Sequence, residues 1–201
     1  ARAAGSSVII LEKMKGFGGN STISDGVVAA AGTPMQTEFK IKDSPRLMYE
    51  DMLKAGMGLN QPELVRVLTE RSGETFQWTV DVLGVEYLNR IDQFGGHSTP
   101  RCYTTQNRSG SAIIKQLLHK IKEQGMKIRT RALLEKILLD NGKRINGVLV
   151  REDYHYPDSE SGIEKRLKAR KAVVMATGGF ANDIALRTSQ DPRLTAEIGS
   201  T

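Results

Sequence analysis

A chain of 201 residues, 39% hydrophobic and 26% charged, is long enough for one globular domain with a buried core, and it has no apolar run of the ~18 residues that a transmembrane helix needs. The net charge of +6 comes largely from a basic run between Lys165 and Lys171 that has no interleaved aromatic residues, so the composition argues against a nucleic-acid partner. The single cysteine excludes an internal disulfide, and no histidine has a second ligand at metal spacing, so no metal site is expected.

The first predicted element is a buried strand, Val8–Leu11, that ends at the acidic residue Glu12. In dinucleotide-binding folds, an acidic residue at the end of the second strand accepts hydrogen bonds from the adenosine ribose. The pair Gly18-Gly19 then predicts a turn, because glycine lets the backbone come close to a bound group. The Gly-x-Gly-x-x-Gly turn expected about 20 residues before such an acidic residue is not in the chain, which predicts a piece of a longer protein.

Two helices are predicted after the glycine turn. Ser44-Pro45 is typical of an N-cap followed by proline at the first helical position, and Gly56 is expected to end that helix. Asn60 and Glu63 have the spacing of a capping box and predict the start of the next helix.

The apolar pattern of this second helix is followed by an apolar stretch from Phe76 to Leu83, in which Trp78 is interpreted as core packing. A further helix is predicted from about Ser109 to Gly125. The apolar side chains that it is expected to bury are Ile113, Ile114, Leu117, Leu118 and Ile121.

A group of strands is predicted after Gly125, where the apolar period changes. Met126–Arg131 predicts a short strand. Leu133–Leu139 and Ile145–Val150 predict a hairpin, because Asp140-Asn141-Gly142 between them is a strong turn signal. The basic run then adds a third strand, which gives an antiparallel β-meander.

The last predicted strand, Ala172–Ala176, is apolar throughout, as expected of a central parallel strand that is covered on both faces. Thr177-Gly178-Gly179 follows as a second glycine turn, and the polar residues after it are able to begin a helix. The elements together predict a mixed α/β domain with the meander inserted before a second central strand.

These residues resemble the fumarate reductase/succinate dehydrogenase flavoprotein family, most closely its soluble flavocytochrome c-type branch. The matching stretches, in chain order, are LEKMKGFGGNSTISDGVVAAAGT (11–33), DSPRLMYEDMLKAG (43–56), QFGGHSTPR (93–101), TRALLEKILLDNGKRINGVLV (130–150) and VVMATGGFANDIAL (173–186). The resemblance implies an α/β fold, a Rossmann-like FAD-binding domain with an inserted antiparallel β-meander, incomplete at both ends. Residues 1–201 are then part of the first flavin-domain segment, without the N-terminal phosphate-binding turn, the clamp domain and the C-terminal flavin segment.

The resemblance also implies FAD as the cofactor and assigns its contacts. Glu12 resembles the ribose carboxylate, with Lys13 beside it, and Ala132 matches a position whose backbone contacts the adenine. The turn around the pyrophosphate and ribityl chain is implied to comprise Gly18, Gly19, Asn20 and Ser21. The segment that faces the isoalloxazine ring is implied to comprise Ser24, Asp25 and Gly26, and the second glycine turn under the cofactor Ala176, Thr177, Gly178 and Gly179.

Some positions depart from the family pattern or leave their role open. The family usually has two glycines where this chain has Gly26-Val27, so a second close backbone approach is in doubt. Asp25 stands where small apolar residues are usual; its charge would disfavour flavin reduction, unless it is a turn residue that points to water. Phe94 aligns with an apolar residue that keeps water off the flavin, and His97 is expected to be a structural hydrogen-bonding residue.

The family's reaction is hydride transfer from reduced flavin to an activated C=C bond, as in fumarate reduction. The resemblance implies that the catalytic side chains lie outside this chain, that the chain alone is inactive, and that only Gly26 would contact the substrate. It also implies a small dicarboxylate-type substrate and an electron donor, which is a haem or FMN domain or a reduced soluble carrier. The implied location is the periplasm or cell envelope in bacteria, or an organelle in eukaryotes.

Two alternatives remain open at this point. One is a related flavoenzyme of the L-aspartate oxidase or ketosteroid dehydrogenase type, although the stretch from Gly95 to Arg101 favours the fumarate reductase branch. The other is a non-catalytic scaffold subunit that docks on a partner, which predicts an exposed apolar face where the first strand should pair.

Overall fold

The computed structural model describes residues 1–199, which form two compact units. Unit 1 comprises Ala1–Ile10 and Phe17–Lys127, and unit 2 comprises Leu11–Gly16 and the chain from Ile128 onward. Among the described residues, no helix is both long enough and apolar enough to cross a membrane.

Seven strands and six helices lie within residues 1–199. In order they are β1 (Ile9–Leu11), α1 (Gly19–Ile23), β2 (Val27–Ala29), α2 (Pro34–Glu38), α3 (Pro45–Ala55), α4 (Pro62–Asp81), β3 (Cys102–Thr104), α5 (Ser111–Glu123), β4 (Lys127–Arg129), β5 (Ala132–Leu139), β6 (Ile145–Glu152), β7 (Ile163–Lys168) and α6 (Ile184–Gln190). The strands form three small sheets in the orders β1-β4, β2-β3 and β5-β6-β7.

The core of unit 1 lies where the β2–β3 pair meets α4. Val28 of β2 is opposite Tyr103 of β3 in antiparallel register. The Tyr103 ring is fully buried and lies 4.0 Å from that of Phe76, centroid to centroid. Its hydroxyl shares a hydrogen bond of 2.5 Å with the buried Thr33 hydroxyl, so this large polar side chain is satisfied inside the core.

The predicted start of α3 is confirmed, and that of α4 is not. The Ser44 hydroxyl accepts a hydrogen bond from the Leu47 amide at 3.1 Å, and Gly56 is the C-cap of α3. The capping box at Asn60 is wrong, because α4 begins at Pro62 with Gln61 as its N-cap and no side-chain cap hydrogen bond. Asn60 instead packs against Gly56, where a Cβ would overlap its side-chain amide.

The burial predicted for α4 and α5 is wrong in part. α4 buries Val65, Thr69, Ser72, Phe76 and Thr79, at helical spacing. Trp78 is 42% exposed because it lies two positions after Phe76, about 200° around the helix from the buried face. α5 forms where predicted, but its apolar face is only half-buried and none of its residues is fully buried.

The predicted antiparallel meander is confirmed in unit 2. β6 pairs antiparallel with β5 on one side and with β7 on the other. The Asp140 carboxylate accepts hydrogen bonds from the amides of Gly142 (2.9 Å) and Arg144 (3.0 Å), which closes the hairpin turn as its sequence indicated.

The predictions for the first and the last strand of the chain need correction. Residues 172–176 form no strand: Val174 is 81% and Met175 50% exposed, since no described strand pairs with this segment and no helix covers it. β1 is present, but it is not buried, and Ile9 is 52% exposed. α6 follows the second glycine turn, as expected, with the Asp183 side chain as its N-cap.

Candidate functional site

The predicted cofactor residues fall in both units, and each set is described within its own unit. In unit 2, Glu12 lies beside the start of β5. The Glu12 amide donates to the Arg129 carbonyl at 2.8 Å, and the Ala132 amide donates to the Glu12 carbonyl at 2.9 Å. The acidic residue and the residue predicted to contact adenine are thus joined by a backbone hydrogen bond, although 120 positions separate them in the sequence.

The Glu12 carboxylate is held in a fixed orientation. Its Oε1 accepts a hydrogen bond from the Met14 amide at 2.7 Å, which is short for an amide donor and typical of a charged acceptor. No described residue donates to Oε2, and the side chain is only half-buried. A carboxylate with one oxygen anchored and the other open to solvent is suited to accept hydrogen bonds from ligand hydroxyls.

In unit 1, the glycine turn precedes the short helix α1. Gly18 and Gly19 both have positive φ, 96° and 48°. A Cβ at Gly18 would overlap Thr22 Oγ1 and lie 2.8 Å from Ile114, so the fold itself requires this glycine. Nothing lies within 4 Å of the Cβ position of Gly19, so only Gly19 leaves room for close approach by a ligand.

Gly26 is buried and is likewise required by internal packing. It has φ of 66°, and a Cβ there would overlap Thr105 Oγ1 and lie 2.5 Å from the Ser109 carbonyl carbon. The Thr105 amide donates to the Gly26 carbonyl at 3.0 Å, and the Gly110 amide donates to the Ser24 carbonyl at 2.8 Å. The segment from Ser24 to Gly26 is therefore fixed against the turn at 105–110, with the Asp25 side chain exposed.

The structure describes no hydrogen bond between the second glycine turn and the other predicted cofactor residues of unit 2. Ala176, Thr177 and Gly178 are all exposed and lie outside the strands. Gly178 has φ of 76° with open space around its Cβ position. An open groove of about 570 Å³ in unit 1, lined by Met35, Phe76 and other residues, contains none of the predicted cofactor residues.

Sequence reasoning missed a buried ionic cluster at the end of the Gly95–Arg101 stretch. The guanidinium of Arg101 is fully buried and forms a two-pronged pair with Asp43, Nε to Oδ2 at 2.9 Å and Nη2 to Oδ1 at 2.7 Å. Its Nη1 donates to Asp51 Oδ2 at 2.6 Å. Asp43 lies two residues before α3 and Asp51 lies within it, and no local signal links either aspartate to an arginine 58 and 50 positions further on.

The cluster fixes the charge states of its members. Burial alone would raise the pKa of Asp51, but hydrogen bonds from the Ser98 amide and hydroxyl and from Arg101 bring the pKa below its ordinary value. Burial alone would lower the pKa of Arg101, but hydrogen bonds and charge interactions with Asp43 and Asp51 raise it above its ordinary value. Asp51 and Arg101 are therefore charged at neutral pH.

His97 lies at the edge of this cluster. Its Nδ1 is 3.4 Å from Arg101 Nη1. Burial and the nearby Arg101 charge lower the pKa of His97, against the opposing effect of Asp51 and Asp43. The imidazole is thus neutral at neutral pH and contacts the cluster, as expected of a structural residue, whereas Phe94 in the same loop is 49% exposed.

The charged groups of the described residues differ in how open they are to a ligand. No group of three or more histidine, cysteine, aspartate or glutamate side chains within residues 1–199 is placed to hold a metal ion. The most heavily shielded charges, those of Arg101 and Asp43, neutralise each other. The groups placed to meet a ligand are the Glu12 carboxylate in unit 2 and the backbone around Gly19 in unit 1.

Known proteins match this chain over nearly its whole length. Residues 1–198 match the protein family described as "FAD binding domain". The acrylate reductase flavoprotein subunit of Shewanella woodyi is 43% identical over 200 residues, which is 100% of this chain and 39% of that protein. The fumarate reductase (cytochrome) of Shewanella frigidimarina is 29% identical over 205 residues, which is 100% of this chain and 34% of that protein.

A solved structure shares the fold. The open conformation of a flavocytochrome c3 fumarate reductase superimposes with a TM-score of 0.87 and 30% sequence identity, over 98% of this chain and 33% of that one. The chain thus spans between a third and two fifths of the length of these three proteins.

Proposed function

The chain belongs to the FAD-binding domain family that includes these reductase flavoproteins, and from this premise we propose that it supplies part of the FAD site of a reductase. Its α/β fold is that of the flavocytochrome c-type fumarate reductases, and the family's cofactor is FAD. The observation that carries the proposal is the 2.9 Å hydrogen bond from the Ala132 amide to the Glu12 carbonyl. It brings together, across two separate segments, the two residues that we propose contact the adenosine end of FAD.

The residues present fit FAD at this end of the cofactor. FAD, when bound, supplies the hydride-transfer chemistry. Glu12 Oε2 accepts hydrogen bonds from the ribose hydroxyls while the Met14 amide holds Oε1. The backbone of Ala132 would contact the adenine. Within unit 1, taken by itself, Gly19 leaves room for a ligand close to the main chain.

The remaining cofactor contacts are proposed on family resemblance with less support from the geometry. They are Lys13, Gly18, Asn20, Ser21, Ser24, Asp25, Gly26, Ala176, Thr177 and Gly178. Gly18 and Gly26 are explained by internal packing, so their role toward FAD is to fix the backbone on either side of α1. Gly26 is also the one residue that we propose contacts the substrate.

The reaction that we propose for the whole protein is reduction of an activated C=C bond in a carboxylic acid. Two of the relatives are named acrylate reductase flavoprotein subunit and fumarate reductase (cytochrome), which supports this reaction class. This chain contributes binding and positioning to it, and the catalytic side chains are proposed to lie in the part of the relatives that the chain does not span. A haem or FMN domain, or a reduced soluble carrier, is proposed as the electron donor, and a bacterial cell-envelope or a eukaryotic organelle location as the compartment.

The binding proposal is tested with the Glu12→Gln variant, because glutamine keeps the shape of the side chain and removes its charge. We expect the Kd for FAD and for ADP to rise about tenfold or more, since hydrogen bonds to a charged group contribute ~1.5–3 kcal/mol. Isothermal titration calorimetry measures both constants. Glu164→Gln, which removes an exposed carboxylate of β7 in the same unit, is the matched control and is expected to leave both constants unchanged. Equal affinities in all three proteins would refute the role of Glu12.

The reaction class is tested on the whole protein for which the reaction is proposed. We expect it to oxidise a reduced viologen dye when fumarate or acrylate is added, and the dye's absorbance measures the rate. Bleaching that does not depend on either acid would contradict the proposed reaction while leaving FAD binding intact.

A further inference from the structure

An aromatic side chain lies beside the Glu12 segment and is not among the predicted cofactor residues. Tyr156, in the connection between β6 and β7, is 59% exposed. The Lys13 ammonium lies 5.3 Å from the centroid of its ring. Lys13 directly follows Glu12, so the ring is held next to the residue proposed to bind ribose.

The connection that carries Tyr156 is anchored at the same place. The Tyr154 amide donates to the carbonyl of Arg131, the residue before Ala132, at 3.0 Å, and the Tyr154 side chain is buried. The His155 amide donates to Ser161 Oγ at 2.7 Å, which closes the loop on itself. Tyr156 is therefore tied to Glu12 through Lys13 and to Ala132 through Tyr154.

We propose that Tyr156 is a further ligand-binding residue of this site and that its ring stacks on the adenine base of the cofactor. The inference rests on the proposed function, because Glu12 and Ala132 define the adenosine end that Tyr156 adjoins. A ring that is held by a cation and still largely exposed offers the flat apolar surface that a purine requires. The opposing interpretation is an exposed tyrosine whose only partner is Lys13.

The test is ADP binding by isothermal titration calorimetry to the wild-type chain and to three variants. Tyr156→Ala is expected to weaken ADP binding about five- to tenfold, the loss typical of one stacked ring, whereas Tyr156→Phe keeps the ring and the affinity. Tyr49→Ala is the matched control, because Tyr49 has the same 5.3 Å arrangement with Arg66, but in unit 1. Ribose 5-phosphate has no base, so its affinity is expected to be unchanged in Tyr156→Ala.

A second readout does not depend on truncating the ring. Tyr156→Trp in a Trp78→Phe background puts the only tryptophan at the proposed stacking position. Its fluorescence is expected to be quenched by ADP and not by ribose 5-phosphate.

The outcomes separate this inference from the proposed function. Unchanged ADP affinity in Tyr156→Ala, with a clear loss in Glu12→Gln, would overturn the role of Tyr156 alone. Equal losses for ADP and ribose 5-phosphate in Tyr156→Ala would also overturn it, because stacking requires the base. No ADP binding by the wild-type chain would contradict both.

Discussion

Replacing Arg101 by methionine is expected to destabilise unit 1 far more than any exposed charge change. The substitution removes a fully buried guanidinium and leaves the carboxylate of Asp43, also fully buried, and that of Asp51, 12% exposed, without a cation. Breaking a buried ion pair by removing one partner costs ~3–5 kcal/mol, because the remaining charge is left uncompensated.

The other hydrogen bonds of the cluster place the expected cost near the lower limit of that range. Asp43 keeps donors from the Gln36 side chain and the Ser44 amide, both at 2.8 Å. Asp51 keeps the Ser98 amide at 2.9 Å and the Ser98 hydroxyl at 2.8 Å. We therefore expect a loss of about 3 kcal/mol in the free energy of unfolding, which leaves a domain of ordinary stability still folded in water.

Urea unfolding followed by tryptophan fluorescence measures this loss. The single tryptophan, Trp78, is in unit 1, so its emission reports the unit that contains the cluster. With a urea m-value of about 2 kcal/mol/M, a loss of about 3 kcal/mol lowers the unfolding midpoint by about 1.5 M.

Arg71→Met is the matched control for this experiment. Arg71 pairs with Glu74 at the same 2.7 Å as the shortest Arg101–Asp43 contact, but both side chains are about 70% exposed. Exposed pairs contribute ~0–1 kcal/mol, so its midpoint is expected to fall by less than about 0.5 M. Equal shifts in the two variants would refute the argument that burial of the cluster determines its contribution.

Three further predictions follow from the same geometry. Gly26→Ala is expected to lower the free energy of unfolding by about 3 kcal/mol, which thermal melts measure. Gly84 has a similar φ but open space around its Cβ position, so Gly84→Ala is expected to cost only ~1 kcal/mol. NMR titration is expected to give His97 a pKa below its ordinary 6.5, and this pKa is expected to rise in Arg101→Met. Because the pKa is lower in the folded state, the imidazole contributes stability above pH ~6.5. This contribution is lost as the pH falls through the folded pKa. The lowered pKa of Asp51 contributes stability above its ordinary value of 3.8, and this stability is lost as the pH falls through the lower folded pKa. In Asp51→Asn, the urea midpoint is therefore expected to fall less steeply below pH 5.

The parts of the fold that could be predicted from sequence are those with local causes. The Ser44 cap, the Gly56 end of α3 and the Asp140 turn all depend on residues within a few positions of one another, and all three are confirmed. The predicted capping box at Asn60 is wrong because its spacing to Glu63 is shared by caps and by side chains that pack against the preceding turn.

The parts that could not be predicted depend on contacts between distant segments. The exposure of Trp78 follows from which face of α4 meets β2 and β3, and an apolar pattern does not determine that face. The run 172–176 has the composition of a central strand, yet strand formation also needs a neighbouring strand to pair with. Arg101 was part of a matching motif, but its aspartates are 50 and 58 positions away.

For the candidate site, family resemblance contributed more than residue chemistry. Ala132 has no polar side chain, so only the resemblance connected it with Glu12, and the structure joins the two by a hydrogen bond. The sequence predicts that the glycines are places of ligand approach, and for Gly18 and Gly26 the structure instead gives close internal packing as the reason. A glycine motif alone does not distinguish these two causes.

We propose that this chain carries the adenosine end of an FAD site. The most direct test compares the affinities of the chain for FAD and for FMN, which lacks the adenosine half, by visible absorption and calorimetry. We expect FAD to bind at least about tenfold more tightly than FMN, since the contacts that we propose for Glu12 and Ala132 would be made only to the adenosine. Equal affinities for FAD and FMN, or no binding of FAD, would contradict it.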